Sequence, residues 1–200
     1  MRDHELNAES IFGEGIIGHR IFYRYPISLR FELEKGSTHI HRFTESFSRA
    51  RAIMGDLLVH ALDLRVTLLF HSERVRLIAR QLRDLEIPIP KQRRLEKVVL
   101  EGDEPGRTLT VSIDKISLNS LCFASCGTEL GVRPRLSADA FIWSASLGVI
   151  AHPYDDRGMD VAATRADLLH ELLEKRVDWL LDYDLDEMRN RFPGFIVPSG

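Results

Sequence analysis

The stretch Tyr154-Asp155-Asp156-Arg157-Gly158-Met159-Asp160 joins two apolar runs through three consecutive charged residues and a glycine. Aspartate and glycine are residues that tight turns select, so this stretch predicts a turn between two strands. The flanking runs, residues 149–154 and 159–163, then form two strands, and residues 141–145 form a third. The sequence therefore predicts a C-terminal three-stranded meander.

Apolar residues recur at helical spacing after the strand at 159–163 and predict one long final helix, from Arg165 to Leu181. This helix is closed by a second acidic motif, Asp178-Trp179-Leu180-Leu181-Asp182-Tyr183-Asp184. The strand at 159–163 leads about 17 Å away from the turn, and a helix that rises about 1.5 Å per residue returns past the turn. We therefore predict that Arg157 forms an ion pair with Asp182 or Asp184, with Trp179 packed beside it.

Strand and helix patterns also alternate through the first two thirds of the chain. Period-two alternation predicts strands at 27–33, 64–70, 98–100 and 109–113. Helical spacing predicts helices at 43–58 and 75–85, and a cysteine-bearing helix that ends near Gly131. The fold class is therefore α+β, with a mixed or antiparallel sheet and about four helices packed on it. We expect an irregular N-terminal lead-in at 1–20, a single α+β domain at 21–190 and a tail at 191–200.

Composition and charge exclude several classes of partner. The chain has 200 residues, is 44% hydrophobic, and carries a formal net charge of -3. A chain with this charge balance has no overall field that attracts nucleic acid or an anionic membrane. It also lacks the run of about 20 apolar residues that a membrane helix needs, and the basic-then-apolar start of a secretory signal. We expect a cytoplasmic protein with neither a nucleic-acid nor a membrane partner.

Two local patterns have the spacing of a nucleotide-binding or a metal-binding motif, but the residues around them do not complete either motif. Gly13-Glu14-Gly15-Ile16-Ile17-Gly18 has the spacing of a dinucleotide-binding loop, but no strand pattern precedes it and no helix pattern follows it. Cys122 and Cys126 are four residues apart and share a helix face with Leu118 and Leu121, so we predict buried, reduced thiols. The sequence contains no further ligands at metal-binding spacing. No cofactor and no metal site is predicted.

Three segments together resemble a known family. They are Tyr25-Pro26 with Leu29–Leu33, the stretch Tyr154–Asp160, and the segment Trp179–Asp184. They are similar to an uncharacterised bacterial family, a domain of unknown function with a Tyr-Asp-Asp-Arg-Gly signature followed by Trp-x-x-Asp-Tyr-Asp. The resemblance extends over residues 20–190. It departs at Pro153, where the family carries an aliphatic residue, and at Met159, where it carries a cysteine. The resemblance implies a fold but no established reaction.

Two classes of function remain open. The first is a non-enzymatic binding protein, of the immunity or adaptor type, that docks another bacterial protein with its acidic face. The residues predicted to form this face are Tyr154, Asp155, Asp156, Arg157, Asp160, Trp179, Asp182 and Asp184. The alternative is a hydrolase or metal-dependent enzyme that uses the carboxylates of Asp155, Asp156 and Asp160. The first is favoured because Arg157 would neutralise a neighbouring carboxylate and because no nucleophile motif occurs. The sequence does not indicate an oligomeric state.

Overall fold

Seven strands form one sheet. The computed structural model of the chain describes residues 7–18, 20–89 and 95–193. Within these ranges the strands are β1 (Ser28–Glu32), β2 (Leu64–His71), β3 (Leu95–Val99), β4 (Pro105–Ser112), β5 (Asp139–Ser144), β6 (Val149–Pro153) and β7 (Gly158–Ala163). They lie side by side in the order β1-β7-β6-β5-β2-β4-β3, and every neighbouring pair is antiparallel.

Seven helices accompany the sheet in the described ranges, where about four were expected. They are α1 (Ala8–Phe12), α2 (Ile21–Arg24), α3 (His39–Leu57), α4 (Val75–Asp84), α5 (Lys115–Gly127), α6 (Asp167–Lys175) and α7 (Leu185–Arg191). Three of them, α1, α2 and α7, have four to seven residues and lie at the two ends of the chain. The fold is therefore α+β with an antiparallel sheet.

One face of the sheet carries the main core. On β2 the side chains of Val66, Leu68 and Phe70 point to this face and are buried. The helices α3, α5 and α6 supply the apolar side chains that cover them. The Thr38 hydroxyl accepts a hydrogen bond from the backbone N–H of His41 and so caps the start of α3. Apolar burial on this face provides most of the driving force for folding.

The other face, which we call the second face, is covered by the N-terminal segment. Ala8, Ile16 and Ile21 of this segment are buried against the sheet. Their apolar partners on the sheet are Leu69, Phe141, Trp143, Ile150 and Ala162. The expected lead-in at 1–20 thus contributes buried side chains and the short helix α1. At the other end of the chain, Phe192 is also buried, and residues 194–200 of the expected tail lie outside the described residues.

The strands near the C-terminus pair in chain order, β5 with β6 and β6 with β7. They begin and end within two residues of the predicted positions. The single long helix predicted after them is wrong, because α6 ends at Lys175 and two short 3-10 turns follow at Val177–Trp179 and Asp182–Asp184.

The reason for this break is the edge of the sheet. Leu180 forms an isolated antiparallel bridge with Phe31, and the backbone N–H of Leu181 donates to the Arg30 carbonyl at 3.0 Å. The chain leaves the helix to satisfy backbone groups of β1 that an edge strand would otherwise expose. A helix through Leu181 could not make these hydrogen bonds. Helical spacing alone does not reveal this competition.

No helix among the residues the structure describes is long and apolar enough to cross a membrane.

Both cysteines of α5 are buried and free of disulfide bonds, which confirms the sequence-based prediction. Burial raises the pKa of Cys126 to about 12 and also raises the pKa of Cys122. A thiol reacts through its thiolate, so neither side chain is a nucleophile near neutral pH.

We expect Cys122 and Cys126 in the native protein to react with Ellman's reagent at pH 8 at least about a hundredfold more slowly than in urea, because reaction requires opening of the core. Rate measurements with and without urea check this. Equal rates in the two conditions would contradict the burial of the thiols.

Candidate functional site

The turn after β6 is held by its own residues. The backbone N–H of Arg157 donates to Asp155 Oδ1 at 2.7 Å, and its guanidinium Nε donates to Oδ2 at 2.8 Å, with Nη2 bound to the same oxygen. An aspartate that accepts the N–H two residues on is a common turn device. The predicted ion pair of Arg157 with Asp182 or Asp184 is therefore wrong. Local closure of the turn places Asp155 nearer to the guanidinium than either distant aspartate.

The second aspartate of the turn pairs with α3. Arg42 Nη2 donates to Asp156 Oδ2 at 2.5 Å, and Arg42 Nε lies 3.3 Å from Glu34 Oε1. Asp156 is fully buried. One arginine thus bridges two carboxylates, and it ties the turn to the first residues of α3 and to the segment after β1. This carboxylate belongs to the interior and not to an acidic surface.

Arg30 on β1 brings together the two acidic motifs. Its Nε and Nη2 donate to the two oxygens of Asp160 at 2.7 and 3.0 Å, and its Nη1 donates to Asp184 at 3.3 Å. Phe22 and Tyr23 add further donors, from the backbone N–H of Phe22 to Asp160 and from the Tyr23 hydroxyl to Asp184, each at 3.0 Å. We call these five residues the Arg30 cluster. The two motifs therefore meet, but through an arginine that the sequence analysis did not single out.

The register of the sheet explains why Arg30 takes this role. Arg30 is directly opposite Asp160 in the antiparallel pair of β1 and β7. Directly opposite residues point to the same face, so the two side chains meet on the second face. The alternation of β1 indicated that Arg30 pointed away from the core, which was the available signal. The partner strand could not be read from the sequence.

The remaining predicted residues are dispersed. Trp179 packs against two other arginines, with Arg49 at 5.4 Å and Arg176 at 4.5 Å from the ring centroid. Asp182 is exposed on a 3-10 turn. The continuous acidic face expected from the sequence is therefore not formed, because four of its carboxylates, those of Asp155, Asp156, Asp160 and Asp184, are buried beside arginines.

Tyr154 lies between the turn and an open part of the second face. Its ring crosses Gly158 so closely that a Cβ atom built on Gly158 would lie 2.0 Å from the phenol oxygen. Burial raises the pKa of Tyr154 above its ordinary value, and the negative charge of Asp160 raises it further. The phenol is therefore neutral near neutral pH and can donate a hydrogen bond.

A cleft of about 620 Å³ opens on the second face and has Tyr154 among its lining residues. Residues of β2, β3, β4, β5 and β6 form its floor, and the N-terminal segment forms its roof. The polar floor residues are Thr67, Thr108, Thr110 and Asp139, and the roof residues include Ile17, Gly18, Arg20 and Arg24. The sequence analysis missed this cleft because its lining comes from strands and a loop far apart in the chain.

The glycine loop belongs to the roof of this cleft. Tyr25 donates to the carbonyls of Gly13 and Glu14 at 3.1 Å, and Arg24 donates to the Gly15 carbonyl at 3.4 Å. The Glu9 carboxylate accepts the N–H of Gly15 at 3.1 Å. The loop is thus held in place by side chains of its own segment.

The floor of the cleft provides a chain of hydrogen-bonding groups. The buried Trp143 indole donates to the Thr67 hydroxyl at 3.0 Å, and that hydroxyl lies 2.9 Å from the hydroxyl of exposed Thr110. Such hydroxyls can both donate to and accept from a bound molecule. Among the described side chains, no three histidine, cysteine, aspartate or glutamate residues are placed to hold a metal ion. The cleft is built for hydrogen bonding.

These features define an α+β domain in which the Arg30 cluster and a polar cleft lie on the second face of the sheet. The chain belongs to DUF3885, a domain-of-unknown-function family whose model matches residues 7–184. No curated protein and no solved structure matches the chain.

Replacing Arg30 and Arg157 one at a time should distinguish the stabilising effect of a buried arginine from that of an exposed one. We expect Arg30→Met to lower the free energy of unfolding by about 3–5 kcal/mol, because it leaves buried carboxylates without a partner. Arg157→Met is the matched control and should lower it by about 1 kcal/mol or less, since the Arg157 side chain is 70% exposed and Asp155 keeps the hydrogen bond from the backbone N–H of residue 157. Urea unfolding measures both. Equal losses would contradict the central place of Arg30.

Replacing Gly158 and Gly55 by alanine should change the free energy of unfolding in opposite directions. Gly158→Ala forces Tyr154 out of position, and we expect it to lower the free energy of unfolding by about 1–3 kcal/mol. Gly55→Ala, inside α3 where a Cβ atom meets nothing within 4 Å, should raise it by up to about 1 kcal/mol. Thermal unfolding of both variants checks the prediction, and an unchanged Gly158→Ala protein would contradict it.

Proposed function

We propose that this chain is a non-enzymatic binding protein, and that a segment of a partner protein occupies the cleft on the second face. The observation that carries the proposal is the cleft itself. Its lining residues come from five neighbouring strands, from β6 at one end to β3 at the other. At about 4.8 Å between strands, the cleft is about 19 Å long, which is the length of about six residues of extended peptide.

The lining also supports a peptide ligand. Threonine hydroxyls of the floor can hydrogen-bond to backbone amides of a bound segment. Charges of both signs lie around the cleft, with the arginines at 20, 24 and 74 and carboxylates that include Glu9 and Glu129. A partner segment that carries both signs of charge complements this rim.

The pairing of the carboxylates is the reason for preferring binding to catalysis. Arginine already donates to Asp155, Asp156 and Asp160. A metal ion or a substrate proton would have to compete with these charge-assisted hydrogen bonds. The alternative, a hydrolase or metal-dependent enzyme built on these three residues, has no comparable support.

The proposal includes the finer expectations from the sequence. The protein acts in the bacterial cytoplasm as an immunity-type or adaptor protein, and its partner is another protein, not a nucleic acid or a membrane. The stretch Tyr154–Gly158 and the segment Trp179–Asp184 are the signature motifs of its family. Asp160, which follows the first motif, and Asp184 of the second motif pair with Arg30, and Tyr154 lines one end of the cleft. The acidic residues therefore hold the cleft in shape and do not contact the partner themselves.

A tryptophan in the floor of the cleft should abolish partner binding. We expect Thr110→Trp to fill the cleft, while Ser112→Trp, two residues further on the same face of β4 and outside the lining, leaves it open. In affinity capture from the native cell, wild type and Ser112→Trp should retain the same partner protein. The amount of that partner captured by Thr110→Trp should be lower by about tenfold or more. Circular dichroism confirms that both variants fold.

Equal capture by Thr110→Trp and Ser112→Trp would overturn the cleft as the partner site. Thermal stabilisation by Mg²⁺ or Mn²⁺ that is lost in Asp155→Asn would favour the metal-dependent enzyme instead.

A further inference from the structure

The two edges of the sheet differ. Among the described strands, β3 is last in the order and pairs on one side only, with β4. At the opposite edge, Leu180 and Leu181 bond to β1 and cover it. No described residue covers the outer side of β3 in this way, and we call this surface the β3 edge. An open edge presents unpaired backbone N–H and C=O groups, which are the groups that bind an added strand.

The backbone groups that point outward belong to alternate residues of β3. Across the turn that follows β3, the Leu100 N–H donates to the Glu104 carbonyl at 2.8 Å, so Leu100 faces β4. Val99 is opposite Pro105, which has no N–H to donate. Residues of a strand in an antiparallel sheet alternate between its two neighbours. The residues of β3 whose N–H and C=O groups point outward are therefore Leu95, Lys97 and Val99.

Lys97 brings an unbalanced charge to the β3 edge. It lies directly opposite Arg107 of β4, and both side chains are on the main core face, as is Leu95. Lys97 is exposed, and Arg107 donates to the Gly106 carbonyl at 3.2 Å. Neither side chain forms an ion pair within the described part of the chain. Like charges directly opposite each other in a sheet repel, so this row favours a carboxylate on an added strand.

A second copy of the chain does not match this charge. The two-fold register that pairs all three outward residues puts Lys97 of one copy directly opposite Lys97 of the other. With the two copies of Arg107, four cations would then lie in one row across the sheet. Lysine on an edge strand is a common device against such self-pairing. The charge therefore favours a strand from a different protein.

We infer that the β3 edge binds an extended, acidic segment of a partner protein, which adds to the sheet antiparallel to β3. A carboxylate opposite Lys97 balances the two cations of the row. Apolar side chains opposite Leu95 and Val99 cover Val99, which is 73% exposed. Backbone hydrogen bonds supply the affinity and the side-chain row supplies the selectivity. Val98 of β3 lines the cleft, but the β3 edge is the outer side of the strand, so each site can fail without the other.

A short peptide tests the β3 edge directly. The ¹⁵N-labelled protein is titrated with acetyl-Ser-Val-Thr-Glu-Thr-Val-Ser-amide, which can place its glutamate opposite Lys97 and its valines opposite Leu95 and Val99. The control peptide has lysine in place of the glutamate. We expect saturable shifts that are largest at the amides of these three residues, which each gain a hydrogen bond. The lysine peptide should bind several-fold more weakly.

Two variants at Val99 test the backbone contact. Val99→Pro removes one outward N–H and no hydrogen bond to β4, and proline is tolerated at such a position of an edge strand. It should weaken binding of the glutamate peptide about tenfold or more. Val99→Ala is the matched control, because it shortens the side chain and keeps the N–H. It should bind within about threefold of wild type.

A charge reversal tests the selectivity. Lys97→Glu changes an exposed side chain and should reverse the preference, so that the lysine peptide binds several-fold more tightly than the glutamate peptide. This result tests the site even where Val99→Pro does not fold. Thr110→Trp, which fills the cleft, should leave peptide binding unchanged.

The inference is overturned by shifts that avoid β3, by equal binding of the two peptides to wild type, by unchanged binding in a folded Val99→Pro, or by an unchanged preference in Lys97→Glu. Loss of peptide binding in Thr110→Trp would assign the peptide to the cleft. Self-association that Val99→Pro abolishes would assign the β3 edge to a second copy of the chain. Either result would also overturn the inference.

Discussion

The bidentate ion pair between Arg30 and Asp160 is the contact on which the arrangement of the second face depends. Both groups are largely buried, with 12% and 1% of their side chains exposed, so each charge is stable there only beside the other. The same arginine also reaches Asp184 and lies over the Phe22 and Tyr23 rings at 5.2 and 4.6 Å. One side chain therefore joins β1, β7, α2 and the turn before α7.

A second arginine, Arg191, reinforces this junction. Arg191 of α7 donates to the carbonyls of Phe22 and Tyr25 and to the Ser28 hydroxyl, at 2.6 to 3.0 Å. Its guanidinium also lies 4.2 Å from the centroid of the Phe22 ring. The N-terminal segment is thus held by the C-terminal one, and it carries the roof of the cleft. The two faces of the sheet therefore differ. Apolar burial stabilises the main core face, whereas ordered polar groups shape the second face.

Local patterns allowed much of the fold to be predicted from the sequence. The alternation of Leu29 and Phe31 with polar residues predicted β1, and the Asp-Asp-Arg-Gly turn after β6 was recognised from its composition. The buried cysteines followed from helical spacing. Each of these features depends on residues within one turn or one strand of each other.

The site could not be predicted in the same way, because its contacts join distant parts of the chain. Arg30 and Asp160 are 130 positions apart, and only the register of two strands brings them together. Arg157 had the right charge for the predicted pair, but a carboxylate two residues away was closer. The final helix followed a valid periodic pattern until the edge of β1 required backbone hydrogen bonds from Leu180 and Leu181. At Arg30 and at the end of the final helix, contacts with distant parts of the chain decide the structure, and local sequence patterns do not reveal them.

The dependence of the roof on α7 has a consequence for synthesis. A ribosome makes the N-terminal segment first, but Asp184 and Arg191, which hold α2 in place, are made only after all seven strands of the sheet. Strands β5, β6 and β7, on which the roof lies, also come late in the chain. The cleft is therefore among the last features to form, and an incomplete nascent chain cannot present it to a partner.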